Sequence, residues 1–162
     1  MRHLKVIFCF IIVVMMFFLP ATSPAKDILV GYSGPLSGAA AEYGQDIFSG
    51  IDMAVREIND AGGITVKGQK YKFRLEKLND HVDPTMALKN ARRLQENGAI
   101  AVFNSVFTTV APMLRINQEK GKEFLLMAYT SSPRLMETGN KLVVAPPAFY
   151  LLRGDTHGMG PL

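Results

Sequence analysis

Cysteine is almost absent. Cys9 is the only one, and it lies inside an apolar run near the amino terminus, so the rest of the chain can build no disulfide framework and no thiolate metal site. Tryptophan is missing altogether, and histidine occurs three times. With His3 in a basic amino-terminal head, only His81 and His157 remain as candidate bases, and no Gly-x-Ser-x-Gly elbow offers either one a serine. No lysine stands where a P-loop needs one, and Gly31, Gly34 and Gly38 lack the spacing of a dinucleotide fingerprint. These absences predict a protein that is not an enzyme and takes no cofactor and no metal. Charge of one sign is also lacking. The net charge of +4 falls to +2 without Arg2 and Lys5, which is no electrostatic surface for nucleic acid.

Long apolar runs are confined to one place. Val6 to Leu19 is uninterrupted, preceded by Arg2, His3 and Lys5 and ended by Pro20. At about 1.5 Å per residue it is too short to span a ~30 Å hydrocarbon core comfortably. Ser23-Pro24-Ala25 then sets small residues at the positions a signal peptidase reads. Residues 1–25 are therefore expected to be a signal peptide cut between Ala25 and Lys26, with the mature chain exported.

Beyond Ala25 the chain alternates between two periods. Ile28-Leu29-Val30 reads as a buried strand, Gly31 to Gly44 as a loop, and Gln45 onward as an amphipathic helix with Ile47, Ile51, Ala54, Val55 and Ile58 on one face. Asn59 to Gly63 ends it. Ile64-Thr65-Val66 and Tyr71 to Leu78 flank a hairpin turn. Asp83-Pro84 is an N-cap with proline in the first turn, opening a helix with Ala87, Leu88, Ala91 and Leu94 on one face. Ala99 to Phe103, Phe124 to Ala128 and Leu142 to Val144 read as further strands, with a third helix from about Val110 to Lys120. This order predicts an α/β fold: a Rossmann-like, mostly parallel sheet with helices on both faces.

In such sheets ligands bind beyond the carboxyl ends of the strands. The loops at Ser33 to Tyr43, Asn104 to Thr109 and Tyr129 to Ser132 leave strands at that edge. They carry short hydroxyls, Ser105, Thr108 and Thr109 against Thr130, Ser131 and Ser132, which suit a carboxylate without burying an opposing cation. Tyr43 and Tyr129 could wall a small apolar pocket. Asn79-Asp80-His81-Val82-Asp83 has the composition of a metal cluster but reads as a strand-to-helix loop of turn formers and caps.

The segment VGYSGPLSGAAAEYGQDIFSGIDMAVREINDAGGI, Val30 to Ile64, resembles the opening of the leucine/isoleucine/valine-binding protein family, the type I periplasmic binding proteins of ABC importers. Gly31, Pro35, Ser37, Gly38, Tyr43, Gly50, Ala54, Ile58, Asn59, Gly62, Gly63 and Ile64 carry the likeness. Asn79-Asp80 with Asp83-Pro84, and the stretch LLMAYTSSPRLMETGNKLVV, continue it, so that it covers residues 28 to about 149. It implies one lobe of a two-lobed solute-binding protein, residues 26–149. The expected ligand is a branched-chain amino acid or a related small carboxylate or amide, and the expected partner is a membrane permease of an ABC importer. By position, the resemblance places the ligand's carboxylate and amine against Ser105, Phe107, Thr108 and Thr109 and against Thr130 and Ser131, with Tyr43 on the ligand side chain. Phe107 departs from the small or hydroxylic residue many relatives have. Residues 150–162 fit neither period nor family and are expected to be a tail left by truncation or frameshift. A ligand-sensing ectodomain and a non-functional remnant are the alternative readings.

Overall fold

The structure, a computed structural model, describes residues 24–130, 132 and 134–145. The apolar run of the expected signal peptide, Ser131, Pro133 and residues 146–162, the expected tail among them, lie outside the described residues. The chain runs β1 (Lys26–Gly34), α1 (Ala41–Asp60), β2 (Ile64–Val66), β3 (Gln69–Asn79), α2 (Pro84–Glu96) and β4 (Ala101–Asn104). It continues with α3 (Phe107–Val110), a 3-10 turn (Ala111–Arg115), β5 (Leu125–Ala128), α4 (Arg134–Glu137) and β6 (Val143–Val144). One six-stranded sheet has the order β2-β3-β1-β4-β5-β6. Every pairing is parallel except the β2–β3 hairpin. The expected α/β architecture is the one observed.

Three boundaries differ from those the residue pattern predicts, each for a packing reason. First, β1 runs on to Gly34, because its glycines serve close approach rather than a turn. A Cβ on Gly31 would lie 2.5 Å from Leu94 Cδ1, and one on Gly34 would lie 2.1 Å from the Tyr32 hydroxyl. Second, α1 starts at Ala41, which takes Tyr43 out of the loop and into the first helical turn. Gly44 permits this by lying flat against the Pro35 carbonyl. Third, Phe107, Thr108 and Thr109 form a helical turn, α3, rather than a loop. Pro112 cannot donate to the carbonyl a turn behind it, so the backbone tightens into the 3-10 turn instead of continuing to Lys120.

The sheet separates two unequal layers. Side chains alternate along each strand, and Leu29, Val102, Leu126 and Ala128 point to one face. There they join Ala87, Ala91 and Leu94 of α2 with Met113, Ile116 and Phe124 in the buried core. The Asp83 carboxylate caps α2 by accepting the Met86 N–H at 2.8 Å. On the opposite face α1 is the one helix among the described residues. Its amino-terminal half docks through Phe48, whose ring tilts against Tyr32 at 5.7 Å and lies under the Lys77 ammonium at 4.5 Å. Its carboxyl end is pinned by Asn59, which donates to the Phe73 carbonyl at 2.7 Å and accepts the Phe73 N–H at 2.8 Å. Gly63, at φ 80°, then turns the chain where a Cβ would strike the Tyr71 carbonyl at 2.0 Å.

Because α1 sits toward β3, the β4–β5 half of its sheet face is left open among the described residues. Ile47, Ile51, Val55 and Ile58 look across an apolar cleft of about 780 Å³ toward Ala101, Phe103 and Met127. Among the described residues no helix is long and apolar enough to cross a membrane.

Candidate functional site

The parallel strands β1, β3, β4 and β5 end together at Gly34, Asn79, Asn104 and Ala128. The loops leaving β1, β4 and β5 are the three the sequence singles out, and the structure brings them to one edge, with the Asn79–Asp83 turn after β3 beside them. Tyr43, on the first turn of α1, donates its hydroxyl to the Ser105 carbonyl at 3.4 Å. Tyr129 follows β5, and its N–H is held by the Asn104 carbonyl at 2.8 Å. Both tyrosines are about half exposed, at 46% and 45%, and both line the upper end of the apolar cleft with Phe103 and Met127. Two aromatic walls from distant parts of the chain therefore face one cavity.

The hydroxyl-bearing residues divide between surface and interior. Thr108 is exposed and Thr130 half-buried at the strand edge. Ser105 is 4% exposed, beneath Tyr43. Its hydroxyl lies against the Tyr32 phenol but completes no well-formed hydrogen bond with any group among the described residues. Thr109 is fully buried, its Oγ1 lying 2.8 Å from both Asn104 Oδ1 and the Val106 carbonyl. That hydroxyl shapes the loop from inside. Phe107 turns half-buried against the hydrophobic core, and it is not among the residues that line the cleft beside Tyr43 and Tyr129.

Sequence reasoning missed what lies beneath this edge. Tyr32 is fully buried on β1 and donates its hydroxyl to the Gly44 carbonyl at 2.8 Å. Burial pushes its pKa up to about 12, Ser105 opposing and the nearby Asp80 and Tyr43 adding to the rise. Asp80, Asn90 and Asn104, at 0%, 8% and 1% exposure, form a polar layer with Ser33 under the loops. In sequence they are isolated polar residues at strand ends and on a helix. Only the strand order makes them neighbours, and the Asn79-Asp80 doublet was the one local sign. Outside this layer, Ser37 Oγ accepts from Asn79 Nδ2 at 2.8 Å and lies 3.0 Å from His81 Nδ1, tying the first loop to the third strand's end.

With this geometry in place, likenesses to known proteins can be set beside it. A family profile described as periplasmic binding protein matches residues 27–156. The Leu/Ile/Val-binding protein of Escherichia coli K12 is 32% identical over 133 residues, 82% of this chain and 35% of that protein. The Leu/Ile/Val/Thr-binding protein of Salmonella typhimurium is 33% identical over the same length. In fold, the chain resembles the branched-chain amino acid transporter substrate-binding protein of Streptococcus pneumoniae, solved with isoleucine. That likeness has a TM-score of 0.63 at 23% identity and covers 74% of this chain and 33% of that one. The chain thus spans about a third of the length of the relatives it matches.

Proposed function

The chain belongs to the periplasmic binding protein family, and from that premise we propose that it is the amino-terminal lobe of an exported solute-binding protein serving an ABC importer. Its ligand is a branched-chain amino acid or a similar small carboxylate or amide. Binding is reversible and involves no bond making, so the lobe acts as a carrier and not as an enzyme. Residues 1–25 direct export and are removed in the course of it, and the receiving partner is a membrane permease.

The observation that carries this reading is the pairing of Tyr43 and Tyr129 at the carboxyl edge of the sheet, where they line the upper end of the apolar cleft that runs along its face. An aliphatic side chain between those rings loses water against Phe103 and Met127, a gain of about 25 cal/mol per Å² of apolar surface. In this reading Thr130, Thr108 and the Ser105–Val106 backbone form the rim, where a carboxylate or ammonium keeps its hydrogen bonds. Ser131 completes this set in the proposal. One lobe supplies one wall, so affinity is weak until a second surface closes over the solute.

Equilibrium dialysis of the exported chain against radiolabelled isoleucine, leucine and valine tests the proposal. Saturable retention of at least one is expected. Tyr43→Ala or Thr130→Ala should weaken it by roughly tenfold, the worth of one aromatic wall or one charged hydrogen bond. Retention that is non-saturable, or indifferent to both substitutions, refutes the assignment of this edge.

A further inference from the structure

Asp80 is the first residue beyond β3, and its side chain is fully buried. No described ion pair includes it. Instead Oδ1 accepts the Val82 N–H at 3.0 Å, while Oδ2 accepts Asn104 Nδ2 at 3.0 Å and the Ser33 hydroxyl at 3.3 Å. The backbone around it is costly. His81 and Val82 both adopt left-handed φ, 53° and 60°, and a β-branched residue there is strained. That turn aims the carboxylate back under the edge of the sheet rather than into solvent.

A carboxylate can only accept, so it dictates which way each donor points. Asn104 has two chemically opposite ends, and Asp80 can take only the NH₂. The amide oxygen must then face the next loop, where it accepts the Val106 N–H at 3.1 Å and the Thr109 hydroxyl at 2.8 Å. The same logic runs the other way through Ser33. Its hydroxyl accepts from Asn90 Nδ2 at 3.2 Å, leaving its proton for Asp80. The polarity of the layer starts at one residue.

We propose that Asp80 is a positioning residue: acting through Asn104, it sets the conformation of the Ser105–Thr109 loop and so the rim on which solute is bound. The first half concerns the loop alone. The second rests on the reading of that loop as part of the binding edge. Asp80 touches no solute; it orients the residue that orients the loop.

Three variants of the whole chain separate this from a role confined to Asp80's own turn: Asp80→Asn, Asn104→Asp, and the two combined. In Asp80→Asn an amide faces an amide, and Asn104 loses its reason to point one way. In Asn104→Asp two carboxylates meet in a buried site. In the combined variant an amide at 80 again meets an acceptor at 104, whose second oxygen still takes Val106 and Thr109. Amide hydrogen exchange by NMR reads the result. Each single variant should speed exchange at Val106 by roughly tenfold, the loss of about one hydrogen bond's protection. Exchange at Ile116 and Asn117, in the core beyond the loop, should stay unchanged, and the combined variant should restore Val106. Unchanged Val106 exchange in Asp80→Asn, or no restoration in the exchange of partners, overturns the proposal.

The unaltered chain provides a measurement that no folding failure can spoil. The side-chain NH₂ protons of Asn104 should exchange far more slowly than those of exposed Asn97; equal rates overturn the proposal. Isoleucine binding to the same variants keeps the two halves distinct. Val106 protection that falls and recovers alongside isoleucine affinity supports both. Protection that changes while isoleucine affinity does not leaves Asp80 in command of the loop and refutes the loop's part in binding.

Discussion

Gly44 and Gly50 lie on the same helix, yet replacing each with alanine should move stability in opposite directions. A Cβ on Gly50 meets nothing within 4 Å. Alanine there gains helix propensity and loses unfolded-state freedom, worth about 0.5–1 kcal/mol. A Cβ on Gly44 would lie 1.8 Å from the Pro35 carbonyl oxygen, against the 3.4 Å at which ordinary contact begins. The obstacle is backbone and cannot swing aside, so the first turn of α1 must retreat. That retreat strains the Tyr32–Gly44 hydrogen bond and withdraws Tyr43 from Ser105. Overpacking of this kind costs roughly 1–3 kcal/mol and the loosened bond about 1 more, against a propensity gain of about 1. Gly44→Ala should therefore be destabilised by roughly 1–3 kcal/mol while Gly50→Ala is stabilised. Urea unfolding followed by circular dichroism measures both. Midpoints shifted in the same direction would show that the Pro35 contact does not hold α1 in place.

Three further outcomes are expected from the structure. Tyr32 has its pKa raised by burial from 10.0 to about 12. The native state therefore holds a proton that the unfolded state gives up, and the stability this adds is complete below pH 10 and lost as pH rises toward 12; denaturant midpoints across that range should fall less steeply in Tyr32→Phe. Asp83→Ala removes the cap of α2 and should cost about 1 kcal/mol in unfolding free energy, with Asp83→Ser recovering most of it. The open face between α1 and β4–β5 should bind an apolar dye such as anilinonaphthalene sulfonate in the native state. Ile51→Gln should dim that fluorescence, and equal fluorescence would place the dye elsewhere.

Elements defined by local chemistry were legible in the sequence. Asp83-Pro84 opens α2, and Ala87, Ala91 and Leu94 form its buried face as their spacing requires. The β2–β3 hairpin and the strands β4 and β5 also lie where their periods put them, within the usual drift of element ends. Residues whose role is set by a distant neighbour misled. Gly31, Gly34 and Gly44 look like loop formers until Leu94, Tyr32 and Pro35 are placed against them. Helix α4 is too short for its period to register. The candidate edge was legible because strand ends in a parallel sheet converge whatever their sequences. Its inner polar layer was not. Ser33, Asp80 and Asn104 sit on three neighbouring strands or their ends, and no spacing along the chain encodes that adjacency.

The two layers have different consequences for how the molecule breathes. Of the twenty residues of α1 only Gly44 is buried, whereas α2 buries five of thirteen. Such a difference in anchorage divides a structure into units that open at different free energies. On that ground α1 is expected to open at lower free energy than the core under α2, carrying Tyr43 away from Ser105, Tyr129 and Thr130. The edge thus has a compliant jaw and a fixed one. A solute that tightens the contact between them would slow exchange along the whole of α1, so the helix itself reports occupancy.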